Sequence, residues 1–170
     1  MSNWCNNTLT VVGPEKEINN FRKQVLPKKQ DKDDLTDLSL ETLLPCPDEL
    51  ESPPDESSMT PQQKGARTKM LFKKYGAPIF GADKKMDWYY WQIKFWGTKW
   101  DIRAAIVVDL PRRIVYQFES AWSPPCEWLK AIAPKFPALK FTLRYEEGGM
   151  GFKGKTKAHG NEYDDQCVNL

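Results

Sequence analysis

Within the string Trp96-Gly97-Thr98-Lys99-Trp100-Asp101, two indoles, an ammonium, a hydroxyl and a carboxylate fall in six consecutive positions. Paired indoles can hold a flat ligand, and Lys99 can meet a phosphate or carboxylate. Thr98 and Asp101 can supply directional hydrogen bonds. Trp122 is a further aromatic candidate, although its place just before a helix signal also suits packing against that helix. As a ligand-binding set, Trp96, Thr98, Lys99, Trp100, Asp101 and Trp122 are the strongest candidates in the chain. The same string also reads as a structural corner. Gly97 would permit the bend, Trp96 and Trp100 would plug a sheet end, and the polar groups would satisfy backbone. Aromatic residues fill cores more often than they hold ligands, which favours the corner.

Other chemistry is sparse. Nucleophilic catalysis would depend on the single histidine, His159, in a Lys- and Gly-rich segment without a group to orient it. Asp101, Glu119, Glu146 and Glu147 fall at or near expected strand ends, where two carboxylates could serve a metal-assisted hydrolase. No fixed-spacing metal motif supports that reading, so exposed strand-end charge is simpler and no metal or cofactor is expected. The four cysteines are far apart without a C-x-x-C, and are read as reduced thiols. Gly148-Gly149-Met150-Gly151 follows a strand without opening a helix, so it is a hairpin turn and not a phosphate loop.

Charge is uneven. From Asp31 to Glu56 ten acidic residues face Lys32 alone, and from Lys64 to Lys85 seven basic residues face Asp83 alone. A basic helix beside an aromatic strand could track a phosphate backbone while bases stack, through Lys69, Lys73, Lys74, Trp88, Tyr90 and Lys94. Mutual neutralisation of acidic loop and basic helix is the plainer expectation, given a formal charge of only +2. An RNA-recognition motif is excluded, because the outward positions of its central strand would be Arg113, Val115, Gln117 and Glu119, which cannot stack bases.

These residues need elements to position them. A strand is expected over 7–12, then a helix burying Ile18, Phe21 and Val25 and stopping before Pro27. The apolar segment 35–44 fits a strand or a short helix, and 45–60 reads as an exposed loop. Thr60-Pro61-Gln62-Gln63 has the capping-box pattern of a helix running to about Tyr75, with Gly76 ending it. Period-two alternation predicts a strand over 88–96, with Tyr89, Trp91, Ile93 and Phe95 on its core face. Strands follow over 102–108 and through Ile114, Tyr116 and Phe118. Ser123 and Pro124 then open a helix with Trp128, Leu129 and Ile132 inward. Phe141, Leu143 and Tyr145 mark the next strand. Segment 151–158 reads as an edge strand blunted by Lys153, Lys155 and Lys157, and 159–170 as a tail.

That order is the β-α-β-β-α-β plan of an α+β ferredoxin-like sandwich, an antiparallel sheet with helices on one face. One domain is expected over 1–158, with 27–100 as a central insert between the first helix and the second framework strand. The 170 residues and 21 aromatics suit a folded domain with a substantial core. The start is polar and no apolar stretch approaches a spanning length, so a cytoplasmic protein is expected.

Five strings occur in order: Asn3-Trp4-Cys5-Asn6-Asn7, Leu44-Pro45-Cys46-Pro47-Asp48-Glu49-Leu50, Trp96-Gly97-Thr98-Lys99-Trp100-Asp101, Ala121-Trp122-Ser123-Pro124-Pro125, and Tyr145-Glu146-Glu147 with Gly151-Phe152-Lys153-Gly154. Together they resemble the YubB ferredoxin-like family, small proteins carried by bacteriophages and conjugative plasmids. The resemblance implies a ferredoxin-like fold without an iron–sulfur cluster, a bacterial cytoplasm, and no established reaction. The expected function is that of a non-enzymatic accessory protein binding a host protein, such as a defence or replication component, or a small nucleotide-like ligand. The alternatives are a single-stranded nucleic-acid module and, last, the hydrolase.

Overall fold

The computed structural model describes residues 3–30, 35–78 and 85–170. Alternating residues build its first strand, β1 (Trp4–Val12), which buries Cys5, Asn7, Leu9 and Val11 and turns Trp4, Asn6, Thr8 and Thr10 the other way. Helix α1 (Glu15–Val25) follows and buries Ile18, Phe21 and Val25, as its spacing predicts. Between α1 and the next strand come α2 (Asp48–Glu51), α3 (Pro61–Tyr75) and α4 (Trp88–Phe95). The remaining elements are β2 (Lys99–Leu110), β3 (Arg113–Ala121), α5 (Cys126–Ile132), β4 (Lys140–Glu147), β5 (Phe152–His159) and β6 (Glu162–Asn169).

The six strands form one sheet in the order β2-β3-β1-β4-β5-β6, every neighbouring pair antiparallel. Its first four strands have the ferredoxin-like order, and the β5–β6 hairpin extends it beyond β4. The core lies on one face, where Phe21 meets Tyr116, Phe136 and Phe141 edge-on at centroid distances of 6.3, 5.1 and 5.4 Å. Trp128, Leu129 and Ile132 of α5 complete it. Burying such rings contributes on the order of 2–3 kcal/mol each.

Several sequence expectations need correction. Residues 88–95 are a helix and not a strand. Asp87 caps it by accepting from Tyr90 N at 3.0 Å, and Tyr90 and Trp91 turn inward while Tyr89, Ile93 and Phe95 are only half-buried. In a run where nearly every position is aromatic or apolar, alternation cannot be told from a continuous stripe, and the cap decides. Segment 35–44 is neither strand nor helix. It is a loop that covers the outer edge of β2, where Asp37 N donates to Ala104 O at 2.8 Å and Ile106 N donates to Asp37 Oδ2 at 2.8 Å.

Ser123 does not cap α5; its hydroxyl is donated to Gly97 O. Residues 159–170 are no tail, because β6 pairs along its length with β5 after a turn at Gly160, whose φ is 55°. The Gly160-Asn161 pair is a hairpin signal, masked by the lack of any apolar stripe in β6. As a result β5 lies inside the sheet, and Lys153, Lys155 and Lys157 guard no edge. The helix over Pro61–Tyr75 forms as its sequence predicts, with both capping-box hydrogen bonds between Thr60 and Gln63 present.

Candidate functional site

The corner is built from a chain of buried hydrogen bonds. Asn7 Nδ2 donates to Cys5 O and to Ser120 Oγ, both at 2.8 Å, and Ser120 Oγ donates to Ser123 O at 2.7 Å. Ser123 in turn donates to Gly97 O, and Thr98 Oγ1 donates to Ala121 O at 2.8 Å. Gly97 has a φ of 86°, and a Cβ there would meet Pro124 O at 3.0 Å, so the position requires glycine. β1, the end of β3 and the start of β2 are thereby locked together.

That frame treats the expected site residues in two ways. Trp96 is 1% exposed, packs into the core and donates Nε1 to Leu44 O at 2.8 Å. Thr98 is fully buried. Asp101 accepts from Leu40 N at 2.7 Å and from the Ser39 hydroxyl, so it clamps the loop along β2. These three hold the corner: Trp96 and Thr98 are buried, and Asp101, although exposed, has its carboxylate oxygens taken by Ser39, Leu40 N and Ile102 N.

Lys99, Trp100 and Trp122 remain. Trp100 and Trp122 are each 42% exposed, and they are the only non-glycine residues with positive φ among the described residues, at 67° and 71°. Left-handed backbone is rare for bulky residues. Each is held there by its own backbone amide: Trp100 N donates to the buried Gln92 Oε1 at 2.9 Å, and Trp122 N to Asn3 O at 3.0 Å. Lys99 Nζ sits 3.9 Å from the centre of the Trp100 ring, a close cation–π contact.

Trp4 joins them. Its ring, 48% exposed, lies 6.4 Å from that of Trp100 with the planes tilted by 41°. In register, Trp4 and Lys99 both stand opposite Ala121. Trp4 was legible as an aromatic on the polar side of β1, alternating with Asn6 and Thr8, but the short strand expected over 7–12 left it out. From Trp4 a shallow trough of about 800 Å³ runs across the helix-free face, lined by Asn6, Thr8, Gln117, Glu119 and Arg103 among others. Trp122 follows Ala121, the residue opposite both Trp4 and Lys99, and its amide holds Asn3 O.

The other candidates are dispersed. Glu147, 1% exposed, accepts from Gly149 N at 3.0 Å and from Met150 N, anchoring the β4–β5 turn. Glu119 and Glu146 flank Asn6 on either side of β1, two strand spacings or about 10 Å apart. Among the described residues no group of three or more His, Cys, Asp or Glu side chains could hold a metal ion. His159 is exposed at the end of β5. Burial pushes the thiols of Cys5, Cys46 and Cys126 up to about 12, so none of them is a thiolate near neutrality.

Of the nucleic-acid alternative, Tyr90 is buried and Lys94 Nζ donates to Tyr75 O at 2.9 Å. Lys74 pairs with Glu49 at 2.6 Å, while Lys69 and Lys73 are exposed and Trp88 packs edge-on against Tyr89. Arg67 and Lys85 both pair with Glu56 across the insert, where a cleft of about 360 Å³ lies. The acidic and basic halves of the insert thus meet each other, as the plainer expectation had it. Asp31, Lys32, Asp33, Asp34, Asp83 and Lys84 lie outside the described residues.

Residues 95–168 match a family model described as a ferredoxin-like domain in Api92-like protein. A solved crystal structure of a protein Api92 from Yersinia pseudotuberculosis is similar over 100% of this chain and 98% of its own, with a TM-score of 0.57 and 9% identity. That likeness supports the ferredoxin-like architecture. No curated protein matches the chain.

Proposed function

We propose that this protein works by binding, and that its site is the corner of Trp4, Lys99, Trp100 and Trp122 opening onto the trough. The observation that carries the reading is that two tryptophans are held in left-handed backbone while each remains 42% exposed. Each costs on the order of 1–2 kcal/mol in backbone strain, and an exposed indole gains nothing from the core. Such strain persists where surrounding structure over-determines it, and it gathers at ligand sites. The chemistry suits a flat, anionic, nucleotide-like ligand. Indole faces would stack on the ring, Lys99 would meet a phosphate, and Asn6 and Gln117 would bond ring edges.

The resemblance to the YubB ferredoxin-like family supports placing this activity in an accessory protein of a phage or plasmid, in the bacterial cytoplasm. Among the described residues no helix is long and apolar enough to cross a membrane. Titration with purine and pyrimidine mononucleotides, followed by the indole N–H signals in NMR, tests the proposal. Trp4, Trp100 and Trp122 should shift while buried Trp96 and Trp128 stay. Unmoved indoles at millimolar nucleotide would turn the reading toward a protein partner, sought by capture from host lysate with wild type and Trp4→Ala compared.

A further inference from the structure

The helix-free face continues past the corner, and there its charge changes. Arg144 of β4 and Lys153, Lys155 and Lys157 of β5 all lie on that face, and none is within ion-pair distance of a described carboxylate. This contrasts with the insert, where Arg67, Lys74 and Lys85 are paired. Edge protection would explain the three lysines, but β6 covers β5 along its length and removes that reason.

Register sharpens the point. Arg144 stands directly opposite Lys155, and the row they share continues through Thr8 and Gln117 on one side and Gln166 on the other, with no carboxylate in it. Like charges directly opposite on one face destabilise a sheet. Among the described residues no carboxylate forms an ion pair with either member; the nearest in register, Glu146 and Asp164, stand in the flanking rows opposite Lys153 and Lys157. An anion from outside would relieve that pair.

We propose that this face binds single-stranded nucleic acid, with bases stacked at Trp4 and Trp100 and the phosphate backbone crossing the sheet on Arg144, Lys153, Lys155 and Lys157. The inference rests on the corner being a stacking site and extends it from one flat ring to a polymer. The three lysines follow one another at about 7 Å, two residues of strand rise, and β5 lies two strands or about 10 Å from β1. A repeating anion therefore finds a repeating cation within one short oligonucleotide of the indoles. The amide of Asn6 lies between the indoles and the track, and those of Gln117 and Gln166 flank the Arg144–Lys155 row on either side, where unpaired base edges can reach them. An open sheet face with end-stacking aromatics and a cationic track suits unpaired bases, whose faces are free, and not a duplex, whose faces are hidden.

Fluorescence anisotropy of labelled 12-nucleotide poly-dT and poly-U with the full chain, across about 25–300 mM salt, tests it. Contacts to three or four phosphates at about −0.7 each give a log–log salt slope of about −2 to −3. The double variant Arg144→Glu, Lys155→Glu should weaken binding at least tenfold and flatten the slope. Lys69→Glu, Lys73→Glu on α3 should bind as wild type. Circular dichroism checks each fold, and Arg144→Gln, Lys155→Gln replaces the reversal if that variant unfolds.

Oligonucleotides bound no more tightly than mononucleotides, or equally by the double variant, overturn the inference. The corner then still stands if mononucleotides shift Trp4 and Trp100, and falls with it if they do not. Poly-glutamate bound as tightly as poly-dT would overturn it in favour of an acidic protein partner.

Discussion

Trp96 and Trp100 stand four residues apart and contribute in opposite ways. Trp96 is fully packed, with its N–H satisfied by Leu44 O, so Trp96→Ala should cost about 3–5 kcal/mol in urea denaturation. Trp100 is strained and exposed. Trp100→Gly removes a left-handed penalty of about 1–2 kcal/mol and adds a chain-entropy cost of about 0.5–1 kcal/mol. Its stability should therefore stay within about 1 kcal/mol of wild type while nucleotide-induced indole shifts at Trp4 are lost. A large destabilisation would make Trp100 a structural residue and remove the basis of the site. The sequence alone could not separate these two indoles, since both lie within three residues of the same glycine. What distinguishes them is a backbone angle and a packing partner 52 residues away, and neither is written locally.

At the scale of elements, legibility followed how much of the signal was local. The helices ending at Val25 and Tyr75 carry their own caps or periodicity and form as read. Helix α4 and the loop over 35–44 do not, because their conformations are decided by what they pack on. That loop holds a pH-sensitive group. Burial pushes the Glu41 carboxyl up from 4.5 to about 7, with Glu51, Asp101 and Asp48 adding repulsion and the Cys46 amide opposing it. An acid whose pKa is raised by folding holds its proton longer in the native state. Its contribution is favourable below about 4.5 and is lost as pH rises through about 7.

Glu41→Gln keeps the acceptor for Cys46 N and removes the charge. With Glu41 half-exposed, solvent screening reduces the expected gain to about 1 kcal/mol above pH 7. The gain should vanish near pH 4, as measured by urea midpoints at both pH values. A variant no more stable than wild type at pH 8 would show the carboxylate to be well solvated in the fold.

Across the whole molecule the ferredoxin-like plan was legible because its strand–helix order is a sequence property. Its charge logic was not, because that depends on which strand lies at the edge. The acidic and basic runs that stand out in the sequence meet through Glu49 and Glu56, which pair with Lys74, Arg67 and Lys85. The lysines of β5, read as edge protection, instead lie inside the sheet and form no ion pair among the described residues. The sheet also divides into a four-strand framework and a β5–β6 extension, and β6 touches the rest mainly through β5 and Asp165. Tyr145 OH and Thr156 Oγ1 both donate to Asp165 Oδ1, at 2.9 and 2.6 Å.

A chain ending at Gly160 loses those two charge-assisted hydrogen bonds, each contributing about 1.5–3 kcal/mol. It should still unfold cooperatively, less stable than wild type by about 3–6 kcal/mol. β5 would then be the edge, and Lys153, Lys155 and Lys157 would oppose strand-to-strand association, keeping the shortened chain monomeric in sedimentation. Its cationic track would remain, so oligonucleotide affinity should fall by no more than the loss of Gln166 entails. A shortened chain that folds yet no longer binds would place the nucleic-acid surface on β6 instead of β4 and β5.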